Sequence, residues 1–380
     1  MNTTCEWREY ELGELLSYEQ PTPYIVESTD YNDKYKTPVL TAGKSFILGY
    51  TNETNGVYTA LPVIIFDDFT TASQYVNFEF KVKSSAMKIL TPNTELVLPK
   101  FIYYRMQIIQ FDHSTHKRYW IQQYSKIKVS IPTIPVQEQI VAKIEELFSE
   151  LDNGVETLRK TKQQLAVYRQ AVLKNAFSHI TEKKTIREMS SVVTSGSRGW
   201  AQYYSDQGAK FVRIGNLTRD RIRIDLSDIQ FVDLPDGAEG KRTQLQPNDV
   251  LVSITADLGS IGLVPDGIGE AYVNQHIAMV RFLNPVQGEF MAWYLRSDYG
   301  QKDLLKNKRG GGKLGLGLDD IRDSRVPVVC DAEAIRIVGN IEARLSVCDS
   351  IEKTVDTALQ QAEAMRQSIL KQAFEGEVIN

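Results

Sequence analysis

Two long stretches of the chain repeat apolar residues at intervals of three and four, which is the pattern of a helix with one apolar face. In the first stretch the apolar positions are 140, 144, 147, 151, 155, 158, 165, 168, 172 and 176. In the second they are 338, 341, 345, 348, 355, 359, 362, 365, 369 and 373. Prolines precede both stretches, as is typical of helix starts. The pattern predicts long helices within 137–180 and 330–380.

The two predicted helices are copies of one sequence. RQAVLKNAF at 169–177 recurs 197 residues later as RQSILKQAF at 366–374, with six of nine residues identical. The copy extends upstream, where VAKIEELFSELD (141–152) aligns with VGNIEARLSVCD (338–349). So long an apolar seam would stay exposed on a single helix, and we therefore expect the copies to pair as an antiparallel coiled coil. The alternative is that each helix packs only on its own globular domain.

Shorter apolar or alternating runs in the rest of the chain predict strands. They lie at 37–42, 61–69 and 76–84 in the first half and at 210–217, 248–256 and 274–283 in the second. Turn residues separate them, and short helices are predicted at 99–109 and 288–297. We therefore expect an α+β fold with two pseudo-symmetric globular domains, joined by two long helices that form an antiparallel coiled coil.

Composition places the chain among soluble globular proteins. No apolar run in its 380 residues approaches the roughly 20 residues that a membrane span needs. Cys5, Cys330 and Cys348 are scattered and lack C-x-x-C spacing, which is typical of reduced cytosolic thiols. We expect a cytoplasmic protein. The net charge of −4 weakly disfavours a nucleic-acid partner, but the distribution of charge matters more than its sum.

The signatures of common catalytic sites are absent from the sequence. It has no D/N-P-P-Y/F motif of an amino-methyltransferase, and RGGGK at 309–313 fails the spacing of a phosphate loop. His113 and His116 have no further ligand at metal-binding spacing. Asp67 and Asp68 could act as an acid and a base, but turn carboxylates are common where a strand ends. We expect no catalytic residue and no metal site, with a self-contained enzyme as the alternative.

Basic residues cluster in a few loops together with aromatic and small polar residues. The clusters are HSTHKRYW (113–120), SGSRGW (195–200), RDRIR (219–223) and KDLLKNKRGGGK (302–313). Arginine and lysine side chains contact DNA phosphates and read guanine edges. HKRYW and KRGGGK also occupy equivalent places, just ahead of the two long helices. The clusters therefore indicate DNA binding, and the alternative for each is an ordinary solvated surface.

Several longer motifs resemble those of one protein family. They are IPTIPVQEQIVAKIEELFSELD (131–152), the terminal copy of that helix, TPVLTAGKSFILGYTNE (37–53), FVRIGNL (211–217) and NDVLVSITADLGSIG (248–262). Over essentially the whole chain, the sequence resembles the specificity subunits of type I restriction–modification systems. The second helix copy departs from the pattern at its start, because VPVVCDAEAI keeps Glu333 and has no glutamine.

The resemblance implies a non-catalytic subunit that gives DNA sequence specificity to a type I restriction–modification enzyme. Target-recognition domains at 1–136 and 181–329 would each read one half of an asymmetric bipartite DNA site. The central helix (137–180) and the C-terminal helix (330–380) would set the spacer and dock two methyltransferase subunits, and through them two restriction subunits. S-adenosylmethionine would belong to the methyltransferase partner and ATP with Mg to the restriction partner, with no cofactor in this chain.

The resemblance also implies DNA contacts in loops of both domains. In the first domain they are Thr41, Gly43, Lys44, Tyr50, Asn52, Thr70, Thr71, His116, Lys117 and Arg118. In the second domain they are Ser197, Arg198, Arg213, Gly215, Asn216, Thr255, Asp257, Asn274, Gln275, His276, Lys306, Lys308, Arg309, Gly310 and Lys313. Two further alternatives stay open. One is a specificity subunit for a related stand-alone methyltransferase or fused-nuclease system, and the other is a coiled-coil scaffold that does not bind DNA.

Overall fold

The structure is a computed structural model that describes residues 7–43, 45–113, 118–196, 198–234, 242–306, 308 and 315–375. It is 41% helical and 24% strand, and the predicted α+β class is confirmed. The chain divides into two compact units. The first unit is Met1–Leu158 with Thr357–Asn380, and the second unit is Arg159–Asp356. The domain boundaries given above stay a prediction.

The globular part of the first unit is built mainly from short strands. Its elements are β1 (Arg8–Glu11), α1 (Leu12–Leu15), β2 (Leu16–Glu19), β3 (Thr37–Leu40), β4 (Ile47–Thr51), β5 (Val63–Asp67), β6 (Ser73–Val76), β7 (Lys81–Val82), β8 (Met87–Pro92), α2 (Pro99–Met106) and β9 (Lys128–Ile131). Their described strands form sheets of order β2-β8-β5-β6 and β4-β3-β7, and β1 pairs with β9.

Strand β5 explains why the first half contains a continuous apolar run. Ile64 and Phe66 point into one core cluster together with Phe101 of α2. Val63 and Ile65, on the other face, point into a second cluster that includes Leu40 of β3 and Val82 of β7. A strand covered on both faces needs apolar residues at every position, because successive side chains alternate between the faces.

The first long helix, α3 (Ile134–Phe177), follows β9 and crosses from the first unit into the second. The globular part of the second unit then contains β10 (Lys183–Thr185), α4 (Ile186–Met189), β11 (Ser190–Ser195), β12 (Tyr204–Ser205), β13 (Ala209–Val212), β14 (Gln230–Val232), β15 (Val250–Ser253), β16 (Ile261–Leu263), β17 (Ala271–Val273), β18 (Ile277–Phe282), α5 (Gly288–Arg296), α6 (Asp298–Leu304), α7 (Leu318–Arg322) and β19 (Arg325–Pro327). The second long helix, α8 (Asp331–Glu375), follows.

The second unit repeats the building principle of the first with different sheets. Its described strands form sheets of order β11-β18-β15-β16 and β12-β14-β13-β17, and β10 pairs with β19. Strand β15 is again buried on both faces. Val250 and Val252 point into the cluster that contains α5, while Leu251 points into a separate cluster with Met279. The central strand of each unit therefore joins two cores.

A buried glutamine fixes the start of α3. Gln137 is 0% exposed, and its Oε1 accepts from the backbone N–H of Leu98 at 2.8 Å. Its Nε2 donates to the carbonyls of Leu96 and Pro132 at 3.0 and 2.9 Å. In the second unit a different glutamine, Gln287, lies outside the long helices. Its side-chain amide donates to the Asp331 carboxylate and to the Val329 carbonyl just ahead of α8. The second helix copy can therefore begin without the glutamine of the first.

Within the second unit, α3 and α8 run antiparallel. Lys162 pairs with Asp356 at 2.7 Å and Arg169 pairs with Asp349 at 2.6 Å, so the contact on α8 moves toward its N-terminus as α3 advances. In the first unit, Arg366 of α8 forms an ion pair with Asp152 of α3. The predicted antiparallel coiled-coil pairing is confirmed within each unit.

The same repeat positions line both seams. Ile140, Ile144, Phe148, Leu370 and Phe374 pack in the core of the first unit. Their equivalents at a spacing of 197 residues, namely Ile337, Ile341, Leu345, Leu173 and Phe177, pack in the core of the second. No helix that the structure describes is long and apolar enough to span a membrane.

Shortening a seam residue on α8 tests this packing. Ile341 is 1% exposed and Val347, on the same helix, is 59% exposed. We expect Ile341→Ala to lower the free energy of unfolding by about 2–5 kcal/mol, because a buried side chain is replaced by a cavity. Val347→Ala is the matched control and should change it by no more than about 0.5 kcal/mol. Urea denaturation followed by circular dichroism measures both, and equal effects would contradict the seam.

Candidate nucleic-acid interface

The turn between β5 and β6 presents the predicted contacts Thr70 and Thr71. Asp67 organises this turn, since its Oδ1 accepts from the backbone N–H groups of Phe69 and Thr70 at 2.8 and 2.9 Å. Thr71 has a φ of 56°, in the left-handed region. Asp67 is therefore a turn carboxylate. Aspartate suits the start of a turn because its short side chain can accept hydrogen bonds from backbone N–H groups two and three residues later.

The neighbouring aspartate holds the turn against the segment that follows the HKR cluster. Asp68 and Lys88 are each 1% exposed in their side chains and form an ion pair at 3.1 Å. Asp68 also accepts from the backbone N–H of Trp120 at 2.8 Å through Oδ1 and from that of Tyr119 at 2.9 Å through its carbonyl. Lys88 donates a further bond to Gln20. The buried pair thus fixes the backbone immediately after Arg118.

These supports place a small group of polar and aromatic side chains together on the surface of the first unit. Thr71 Oγ1 lies 2.9 Å from His113 Nε2, and the guanidinium of Arg118 lies 6.0 Å from the ring centre of Phe69. We call Phe69, Thr70, Thr71, His113 and Arg118 the Arg118 surface. Phe69 is 42% exposed, an uncommon position for a phenylalanine. Phe69 was not among the predicted contacts, and His113 lies in the predicted basic cluster at 113–120 without being one of the named contacts.

The other predicted contacts of the first domain lie on the β3–β4 hairpin. Thr41 closes its turn through a bond from its N–H to the carbonyl of Phe46 at 2.9 Å. Tyr50 pairs with Pro38, so Tyr50 and the exposed Asn52 lie at the opposite end of the hairpin from Thr41 and Gly43. A Cβ at Gly43 would come no nearer than 3.9 Å to another atom, so glycine is not required there for space.

In the second unit, three predicted contacts form one hydrogen-bonded group. Thr255 Oγ1 lies 2.8 Å from His276 Nδ1, and Gln275 Nε2 lies 3.0 Å from His276 Nε2. The three side chains thus form a chain of hydrogen bonds that uses both ring nitrogens of His276. Asn274 Oδ1 accepts from the His276 N–H at 3.1 Å and fixes the same loop. This loop therefore presents polar side chains in a defined orientation.

A glycine brings the loop of Arg198 against this group. A Cβ at Gly196 would lie 1.8 Å from the carbonyl oxygen of Val273 and 2.5 Å from that of Asn274. Only glycine permits that backbone approach. Arg198 is exposed two residues later, and Gly199 has a φ of 79°.

Asn216 supports its loop from inside. Its side chain is 4% exposed and accepts from the N–H of Arg213 at 2.8 Å, while its amide donates to the carbonyls of Asp225 and Asp228. Gly215 is exposed, and Arg213 lies 3.9 Å from the Asp228 carboxylate. The half-buried Arg213 and the exposed Gly215 are thus the groups of this loop that solvent reaches, and the contacts of Asn216 are those of a positioning residue.

Asp257 lies in a turn with the RDRIR cluster. Arg219 donates to its carboxylate through Nε at 3.1 Å, and Ser260 donates to it at 2.5 Å. The Arg219 guanidinium and then Ser260 hold the pKa of Asp257 below its usual range. Farther along the chain, Lys306 pairs with Asp303 at 3.0 Å and Lys308 is exposed.

Several predicted contacts lie outside the described residues, namely Lys44, His116, Lys117, Ser197, Arg309, Gly310 and Lys313. All predicted DNA contacts therefore stay predictions, and the structure groups some of them while leaving others apart. Within the described part of the chain, no cluster of three or more His, Cys, Asp or Glu residues could hold a metal ion.

Comparison with known proteins finds one family to which part of the chain is similar. Residues 5–165 match the family described as type I restriction modification DNA specificity domain. Over 190 residues the chain is 44% identical to the specificity subunit of type I restriction enzyme EcoR124I/EcoR124II from Escherichia coli, an alignment covering 47% of each protein. The resemblance to type I specificity subunits is thus confirmed, and it is carried in sequence by residues 5–165.

Solved structures support the fold of the whole chain. A structure from a study of the assembly of the type I R-M system aligns with a TM-score of 0.75 at 15% identity and covers 98% of both chains. The HsdS subunit from Thermoanaerobacter tengcongensis aligns with a TM-score of 0.53 at 14% identity, covering 98% of this chain and 97% of that chain. The sequence alignments span 47% to 66% of the length of the curated relatives.

Removing Asp68 tests the support of the Arg118 surface. We expect Asp68→Ala to destabilise the first unit by about 3–5 kcal/mol, because it leaves the buried Lys88 ammonium without a negative charge beside it. Hydrogen exchange followed by mass spectrometry should show faster exchange in 61–92 and 118–126.

Two variants control this prediction. Asp67→Ala removes only turn hydrogen bonds and should cost about 1 kcal/mol. Asp68→Asn combined with Lys88→Met removes both charges and should cost less than Asp68→Ala. If Asp68→Ala costs no more than Asp67→Ala, the buried pair does not support this surface.

Proposed function

We propose that this chain is the DNA sequence-specificity subunit of a type I restriction–modification enzyme. Each globular part reads one half of an asymmetric bipartite DNA site, and the chain itself performs no chemistry. The observation that carries the proposal is the Arg118 surface, an exposed basic and aromatic group held on a buried ion pair, within a segment that matches a DNA specificity domain.

The geometry of the Arg118 surface suits DNA recognition. An arginine can take a phosphate or donate to a guanine edge, and threonine hydroxyls can donate to or accept from either groove. The buried Asp68–Lys88 pair holds the neighbouring backbone before DNA arrives. Less ordering is then required on binding, so more of the contact energy appears as affinity.

In the second unit, the loops of Arg198, Arg213, Thr255 and His276 take the corresponding role. The close approach at Gly196 and the hydrogen bonds of Asn216 and Asn274 hold these loops in place. The Arg118 surface is held differently, by the buried Asp68–Lys88 ion pair. Because the residues that hold the loops differ between the two units, the loops can differ in shape although the long helices that carry them are copies of one sequence. We propose that the two units therefore read different half-sites.

The long helices have two proposed roles. They set the unspecified spacer between the half-sites, and they dock two methyltransferase subunits, through which two restriction subunits join. The methyltransferase partner supplies S-adenosylmethionine, and the restriction partner uses ATP and Mg. Exposed apolar residues on α8, including Val347 at 59% and Ile351 at 40%, support a protein partner on this helix. The division into 1–136, 137–180, 181–329 and 330–380 is part of this proposal.

Replacing Arg118 tests the DNA-reading role directly. In the complex with its modification subunit, Arg118→Ala should weaken binding to the cognate duplex by about 1–3 kcal/mol, because one charged contact is lost. Fluorescence anisotropy at several salt concentrations measures the affinity and its salt dependence.

Lys126→Ala is the matched control, since Lys126 is an exposed basic residue of the same unit. It should leave the affinity within about twofold of the wild-type value. Equal affinities for the two variants, with assembly intact, would contradict the assignment of Arg118.

A further inference from the structure

The second unit contains a cleft rich in arginine that the proposed function does not use. Its floor is formed by α3 and α8, and its walls are formed by the loop at 218–221 and by α5. The cavity has a volume of about 450 Å³. We define the Arg296 cleft by the side chains that matter here: Lys162, Arg169, Arg219, Arg221 and Arg296.

Four of these five cations have carboxylate partners. Arg169 pairs with Asp349 at 2.6 Å and with Glu352 at 2.9 Å. The other three pairs are Lys162 with Asp356, Arg219 with Asp257, and Arg221 with Asp225. Within the described part of the chain, Arg296 has no carboxylate within 4 Å, and it donates one long hydrogen bond, of 3.5 Å, to the Thr218 carbonyl.

The surroundings of Arg296 disfavour an isolated positive charge. Burial is the main cause that lowers the pKa of its guanidinium; the nearby Asp220 carboxylate raises this pKa, and the charges of Arg219 and Arg169 lower it. An arginine still keeps its proton in a protein, so a bound anion would offset the cost of burying this charge. A guanidinium without a carboxylate partner, near other guanidinium groups, can bind a phosphate through two parallel hydrogen bonds.

The first unit has a related cleft with the opposite charge balance. Arg366 occupies the repeat position of Arg169 and also pairs with an aspartate, Asp152. The short helix α2, however, contributes Tyr103, Tyr104 and Gln107 to that cleft, where α5 contributes Arg296 to the other. The unpaired cation therefore does not follow from the duplicated frame and belongs to the second unit.

We infer that the Arg296 cleft is a binding site for a phosphate-class anion, with Arg296 as the principal ligand and Arg219 and Arg221 on the opposite wall. The anion neutralises the one guanidinium that the protein leaves unpaired among these five. The same chemistry is presented by free inorganic phosphate, by the phosphates of a nucleotide and by the phosphodiester backbone of DNA.

Titration of the full chain with inorganic phosphate tests this inference without relying on the proposed function. Isothermal titration calorimetry is run at constant ionic strength, with sodium chloride replacing phosphate in the reference. We expect saturable binding to the wild-type chain, and Arg296→Gln should weaken it by roughly 10-fold to 100-fold. Arg296→Lys keeps the charge but not the planar fork, and should lose less affinity than Arg296→Gln.

Lys174→Gln is the matched control, because Lys174 is an exposed cation of α3 that does not line the cleft. It should leave phosphate affinity within about twofold of wild type. Circular dichroism confirms that each variant is folded. The inference is overturned if phosphate binds no better than chloride, or if folded Arg296→Gln binds as tightly as the wild type.

A competition experiment identifies the source of the phosphate. The titration is repeated with a saturating DNA duplex. If the duplex blocks phosphate binding in the wild-type chain, the site takes a backbone phosphate. If both bind together, the site takes a free anion or a nucleotide. Both results support an anion site. Saturable phosphate binding would support that site even if the chain had no role in DNA recognition.

Discussion

The reciprocal arginine–aspartate pairs of the long helices are the constraint on which the rest of the structure depends. Arg169 meets Asp349 in the second unit and Arg366 meets Asp152 in the first, and each residue is separated from its counterpart by 197 positions. When two copies of one helix pair antiparallel, each contact between two repeat positions occurs twice, once with each copy supplying the first residue. Exposed ion pairs contribute little stability, so their role is to define register, while the apolar seam stabilises the pair.

This frame leaves the loops free to differ. In the first unit, a buried ion pair between Asp68 and Lys88 anchors the loops around Arg118. In the second unit, uncharged hydrogen bonds made by Asn216 and Asn274 anchor the loops. Core residues at equivalent helix positions are kept in both units because their packing is shared. The surface loops are not constrained by that packing, which allows the two units to carry different loops on related frameworks.

The sequence predicted the features that depend on local periodicity. The helices α3 and α8 follow from apolar spacing, and the runs at 61–69 and 248–256 contain the buried strands β5 and β15. It did not predict contacts between distant segments. Lys88 lies 20 residues from Asp68, and nothing in its neighbourhood indicates that its ammonium is buried. The resemblance implies a DNA contact at Asn216, which stays a prediction; the sequence did not indicate the hydrogen-bond partners nine and twelve residues away that hold this side chain inside.

The central claim is that this chain determines which DNA sequence its enzyme complex modifies. The most direct test is a methylation map of the host genome by long-read sequencing, with the gene intact and deleted and the modification subunit expressed in both strains. The account predicts that deletion removes methylation at one asymmetric, interrupted adenine motif, whose two halves correspond to the two units. An unchanged map, with the modification subunit present and active, would contradict it.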